Sequence, residues 1–240
     1  MRTLLFIFTL ILAANATAQS PLLSRSFTDG TSLAKAGEFE KAAKTYRNAL
    51  IIAHDENLSG RYLATLHFNL GVCHYRMGRE TDAILEFHKA IRLSRGKYQR
   101  AYYALGMAQS GQKNWRKARE AFIGALKLKD ADGEAWFDLG FVYLADHDYE
   151  NAGRAFRNSI SHKSIDSALG HNNVGVILAM NNNFAAAEKE FEAALIGSGG
   201  RLIEARKNLD YCRSRRAGHT ELVATTEFSF AERQRQIIAV

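Results

Sequence analysis

Three kinds of residue recur in step along this chain, and their recurrence limits what it can fold into. A glycine stands at Gly30, Gly71, Gly106, Gly140 and Gly175, and an alanine at Ala42, Ala83, Ala118, Ala152 and Ala187. Four residues after each alanine comes an aromatic: Tyr46, Phe87, Phe122, Phe156 and Phe191. By all three markers the last four units are spaced 35, 34 and 35 residues. A fixed period of that length marks a stack of identical supersecondary units. The fullest unit is Trp136–Phe156. Trp136, Leu139 and Tyr143, at steps of three and four, share one face of a first helix, and Ala152 and Phe156 do the same on a second. Gly140 and Ala152 are small where the two helices must cross closely, with large residues filling the space on either side. One such hairpin cannot bury its apolar faces alone, so neighbours must complete the core.

The spacing W-x2-L-G-x2-Y…A-x3-F, carried by Trp136, Leu139, Gly140, Tyr143, Ala152 and Phe156, resembles the tetratricopeptide repeat family. The resemblance covers roughly residues 23–201 in about five repeats, near 23–63, 64–98, 99–132, 133–167 and 168–201. It implies an all-α fold: a right-handed α-solenoid with two antiparallel helices per repeat and a concave groove lined mainly by the first helices. The sequence departs from the family in places. No repeat carries the proline that often closes the second helix, and the single proline, Pro21, lies outside the repeats. Repeat 1 has Ser26 and Asp29 in the slots of Trp136 and Leu139, as a more polar terminal repeat would. The first glycine spacing is 41, seven longer than 34. Seven residues are about two helical turns, so lengthened helices keep their faces in phase. The insertion is expected in His54–Arg61.

The ends read differently. Residues 1–18 have Arg2, the apolar run Leu4–Ala14 and the A-x-A site Ala16-Thr17-Ala18, the pattern of a secretory signal peptide with Gln19 as the mature start. That run is too short to span a bilayer. The expected localisation is therefore exported, periplasmic or secreted. Residues 19–22 are expected to be a linker, 202–217 a capping helix with the apolar stripe Leu202, Ala205, Leu209 and Cys212, and 218–240 a C-terminal tail. The tail is expected either to fold back on the solenoid and fill its groove or to be offered to a partner. The net charge is +7, of which the signal contributes only Arg2. For an exported chain that excess points to acidic proteins or anionic envelope components rather than nucleic acid. Six basic residues lie in Arg201–Arg216, and they are expected to form a solvated helix face.

Catalytic chemistry leaves no trace. No HExxH, GxSxG, Walker loop or GxGxxG occurs, and neither a catalytic residue nor a cofactor is assigned. His67 and His171 take the slot of Trp136, and His74 that of Tyr143. A packed imidazole with one nitrogen satisfied is expected there, not a metal site. Asp130-Ala131-Asp132-Gly133-Glu134 reads as a capping turn rather than a calcium loop. Cys73 and Cys212 are expected to be separate thiols, at least one of them buried. Asn57-Leu58-Ser59 is a glycosylation sequon, of meaning only in a eukaryote.

The expected binding surface is the concave face. The residue after each Trp136-type slot gives Phe27, Phe68, Tyr103 and Phe137, broken at Asn172; four further on come Thr31, Val72, Met107, Phe141 and Val176. Asn69, Arg100, Asp138 and Asn173 stand beside them. Such a ladder suits an extended peptide or amphipathic helix, with aromatic anchors supplying energy. Some members of the family hold a peptide's terminal carboxylate with Lys, Asn and Arg on successive first helices. Asn69 and Arg100 match two such slots, but Ser24, Thr28 and Ala104 fill others, and Glu134 and Asp138 would repel a carboxylate. The resemblance thus implies a non-enzymatic scaffold binding another envelope protein. The alternative is an accessory whose basic C-terminal helix touches an anionic membrane or cell-wall polymer.

Overall fold

The computed structural model describes residues 20–217, apart from 57, 59, 165 and 166. The signal segment, the tail from residue 218 and the two outer residues of the sequon lie outside the described residues. Eleven helices are described: α1 Pro21–Lys35, α2 Phe39–Asp55, α3 Arg61–Arg76, α4 Glu80–Leu93, α5 Gln99–Gly111, α6 Trp115–Leu128, α7 Gly133–Ala145, α8 Tyr149–Ser161, α9 Ser167–Met180, α10 Phe184–Gly197 and α11 Ile203–Arg216. They fall into two compact units, one ending at Gly96 and one beginning at Lys97.

In the first unit α1 pairs with α2 and α3 with α4, α2 packs on α3, and α1 touches α3. Helix α1 starts at Pro21, inside the stretch expected to be a linker. Ser20 Oγ accepts the N–H of Leu23 at 3.2 Å, and proline at the first helical position gives up an N–H that would have had no partner. The extra length of the first repeat resides mainly in the helices. α2 has 17 residues and α3 has 16, against 13 or 14 for their later counterparts α6 and α5.

In the second unit the hairpins are α5–α6, α7–α8 and α9–α10, with α6 on α7, α8 on α9, and the first helices α5 and α7 in contact. Helix α11 packs on α9 and α10. It buries Ala205, Leu209 and Cys212, while Leu202 stays partly exposed at its N-cap. The capping turn before α7 forms as expected, Asp132 Oδ1 accepting the N–H of Ala135 at 3.2 Å. Among the described residues no helix is long and apolar enough to cross a membrane.

One contact builds every hairpin. A Cβ added to the recurring glycine would lie 2.8 Å from the Tyr46 ring at Gly30, 2.7 Å from Phe87 at Gly71 and 2.8 Å from Phe122 at Gly106. The corresponding distance is 2.6 Å from Phe156 at Gly140 and 2.6 Å from Phe191 at Gly175. The second-helix ring therefore sits so close to first-helix backbone that only glycine leaves room for it. Seven residues after each of these glycines the chain turns in left-handed backbone, at Gly37 (φ 80°), Gly78 (71°), Lys113 (59°), His147 (58°) and Asn182 (59°).

Candidate binding face

A second contact, not anticipated, lies one helical step from the first. Nineteen residues separate Phe27 from Tyr46, Phe68 from Phe87, Tyr103 from Phe122 and Phe137 from Phe156. All four are ring pairs, with centroids 6.3, 5.9, 5.7 and 5.5 Å apart. The position expected to face a partner is thus the inner half of an aromatic pair within each repeat, worth about 0.5–1.5 kcal/mol beyond its buried area.

This corrects much of the expected ladder. Phe68 is 1% exposed and Phe137 0%. Asn69, Val72, Asn173 and Val176 are also buried. Phe27 is half-buried against Tyr46 and Tyr62. Four of the expected residues keep substantial access in the second unit: Arg100, which is exposed, and Tyr103, Met107 and Phe141, which are partly exposed. Tyr103 and Met107 lie on α5 and rest on the core beneath, while Phe141 on α7 packs against Phe137 and Phe156. Two polar ties that spacing did not reveal hold α5 to the start and middle of α7. The Tyr103 hydroxyl donates to Asp138 Oδ2 at 2.7 Å, and Gln99 Nε2 to Asp132 Oδ2 at 2.6 Å. Glu134 accepts from the Ser164 hydroxyl at 2.8 Å. The row is therefore apolar in the middle and acidic along α7.

The fifth repeat breaks the aromatic series for a reason. Asn172, fully buried, accepts from Asn208 Nδ2 of α11 at 2.9 Å and donates to Asn173 Oδ1 at 3.2 Å. A polar joint to α11 stands where the other repeats carry a ring. The basic face of α11 is partly engaged as well. Arg213 donates to Glu192 and Arg216 to Glu188, each at 2.8 Å, and the Arg215 guanidinium lies 6.0 Å from the Phe184 ring centre.

Two of the three histidines in these slots have the satisfied nitrogen expected of them, and buried His74 Nδ1 makes no hydrogen bond among the described residues. His67 Nδ1 lies 2.6 Å from Glu86 Oε2, and His171 Nδ1 lies 2.7 Å from Glu190 Oε2. Where the first-helix residue is Tyr102 or Trp136, the partner position nineteen residues on is Ala121 or Ala155. His74 is buried 3.8 Å from Asp82, and burial pulls its pKa down. Among the described residues no three His, Cys, Asp or Glu side chains converge as a metal site. Cys73 and Cys212 are free and buried, and burial pushes their thiols up to about 11 and about 12.

Glu86 is the buried acid whose titration bears on stability. Burial pushes its carboxyl up, but hydrogen bonds from His67 and Lys89 outweigh that and hold it below its ordinary value. A folded-state pKa below the unfolded one contributes stability that is present above the unfolded value, about 4.3, and is lost as pH falls through the folded value. Glu86→Gln is expected to lower stability at neutral pH by about 1–3 kcal/mol and to flatten the acid limb of a urea-melt series. An acid limb as steep as that of the parent would contradict this.

Residues 64–97 and 103–166 match two family models, both described as tetratricopeptide repeat. Repeats of that kind thus lie in both units. Similar solved structures include MamA from Desulfovibrio magneticus RS-1, 17% identical over 77% of this chain and 99% of that one, with a TM-score of 0.66. YrrB, described as a tetratricopeptide repeat protein with an unusual peptide-binding site, is 21% identical over 83% of this chain and 97% of its own, TM-score 0.63. Pseudomonas aeruginosa pilF is 18% identical over 84% and 94%, TM-score 0.60. No curated protein sequence matches the chain. At these identities the likeness concerns the fold, an all-α solenoid of tetratricopeptide repeats closed by α11.

Proposed function

We propose that the chain is an exported, non-enzymatic scaffold that binds a peptide segment or amphipathic helix of an envelope protein on the first-helix face of its second unit. The observation that carries this reading is the row of Tyr103, Met107 and Phe141, large groups left partly exposed on two adjoining helices of a packed stack. Partly exposed large groups on such a scaffold supply anchor contacts, with polar groups at the rim fixing register. The match to tetratricopeptide repeats supports the reading, as does the peptide-binding site ascribed to YrrB. Export rests on the sequence of residues 1–18, and amino-terminal sequencing of the native protein should read from Gln19. Contact of α11 with an anionic membrane or cell-wall polymer is less well supported, because Arg213 and Arg216 already face glutamates.

The test is photocrosslinking in the native host with a benzophenone side chain at Met107, or at exposed Lys117 as a control. The expected result is one protein adduct from position 107 and not from 117. A synthetic peptide of the crosslinked segment should then bind Tyr103→Ala about tenfold or more weakly than the parent. Equal adducts from both positions, or equal affinity for the variant, would overturn the assignment of this face.

A further inference from the structure

Between α8 and α9 lies an open pocket of about 400 Å³ that shares no residue with the row on α5 and α7. Ile177 and Leu178 of α9 and the ring of Tyr149 give it an apolar lining. Gly153 leaves it open. The residue after each recurring alanine is Ala43, Ile84, Arg119, Gly153 and Glu188. In repeats 3 and 5 that residue ties its second helix to the next helix along the chain. Arg119 donates to Asp146 at the end of α7 at 2.9 Å, and Glu188 accepts from Arg216 of α11 at 2.8 Å. Repeat 4 has no side chain to do this.

Packing does not demand that glycine. An added Cβ at Gly153 would meet Arg157 Nη1 at 3.6 Å and Ile177 Cδ1 at 3.7 Å, ordinary contacts, unlike the 2.6 Å at Gly140. Glycine is a poorer helix former than alanine, so the vacancy is kept against local preference. The rim is cationic. Arg154 holds Glu150 at 2.6 Å in an exposed pair of the kind that is weak in water. Arg157 has no acidic partner among the described residues, and the Asn181 amide stands alongside. An apolar lining beside a guanidinium that no described carboxylate meets complements one chemistry: an apolar side chain next to a carboxylate.

We propose that this pocket is a second binding site, for an acidic peptide segment whose apolar side chain enters between α8 and α9 while the neighbouring carboxylate pairs with Arg157. The volume is within the range of small-ligand sites. The test is an amide-shift NMR titration of the full chain with acetyl-Asp-Phe-amide and, as a charge control, acetyl-Asn-Phe-amide. The Asp peptide should shift Gly153, Ile177 and Asn181 saturably, and the Asn peptide should bind about fivefold or more weakly. Gly153→Leu should remove the shifts without lowering the melting temperature. Arg157→Gln should bind the two peptides alike. Equal binding of both peptides to the parent, shifts that persist in Gly153→Leu, or no saturable shift up to about 10 mM would each overturn the site. None of these outcomes bears on the α5–α7 face, whose test reads a different position.

Discussion

Gly140→Ala is expected to destabilise the second unit by about 1–2 kcal/mol, although alanine is the better helix former. Its methyl would lie 2.6 Å from Phe156 Cε1 and 2.8 Å from Cδ1 and Cζ, closer than any real carbon contact. Overpacking of this kind costs about 1–3 kcal/mol, and the gain in helix propensity returns only about 0.5–1. Phe156 has little room to retreat, since Phe137 and Phe141 hold its ring at 5.5 and 5.4 Å. Phe156→Ala, which empties the same seat, should cost about 3–5 kcal/mol. The two sites are coupled: with Phe156→Leu in place, the added methyl meets a smaller group. The double variant should therefore lose less than the sum of the singles by about 0.5 kcal/mol or more. Chemical denaturation of the parent, the single variants and the double measures all of these. A Gly140→Ala variant as stable as the parent would mean that the ring does not rest on the helix backbone.

Asn208→Leu is expected to loosen α11 with little effect on the hairpins before it. The Asn172 carbonyl would lose the bond it accepts from Asn208, in a site where Asn172, Asn173 and Asn208 are at most 2% exposed. A buried acceptor stripped of a partner costs about 1–3 kcal/mol. That is a large share of what a single terminal helix contributes to a stack, and opening should be local. Hydrogen exchange should accelerate in Ile203–Arg216 and on the α9 surface beneath it, while α5–α8 keep their protection. Unchanged exchange in α11 would show that apolar burial of Ala205, Leu209 and Cys212 holds the helix without the amide joint.

The hairpins were legible in the sequence because glycine and aromatic meet within one local unit, sixteen residues apart, and the same pair recurs five times. The binding face was legible only in outline. Periodicity tells which residues share a side of a helix, not how deeply each is covered. Spacing alone puts Trp136 in the seam and Phe137 on the surface. In the structure Phe137 is wholly buried on Phe156, while Trp136 packs on the α6–α7 cluster and stays partly exposed, its indole N–H donating to the Asp130 carbonyl at 2.8 Å. One residue is about 100° of turn, yet both side chains find packing. Asn172 looks like a gap in a pattern because its partner, Asn208, is 36 residues away on a helix outside the repeat. The Gly153 pocket is invisible for the opposite reason, since a missing side chain leaves no signal in a motif.

The left-handed corners imply an uneven compliance along the chain. In the first unit Gly37 and Gly78 make the bend without strain, whereas Lys113 and His147 force a Cβ into backbone that disfavours it by about 1–2 kcal/mol, with Asn182 better suited to the seat. Opening such a corner releases that strain, so the later hairpins are expected to open at lower cost than the earlier ones. The corners that should open most readily are those of the hairpins that carry Tyr103, Met107, Phe141 and Gly153.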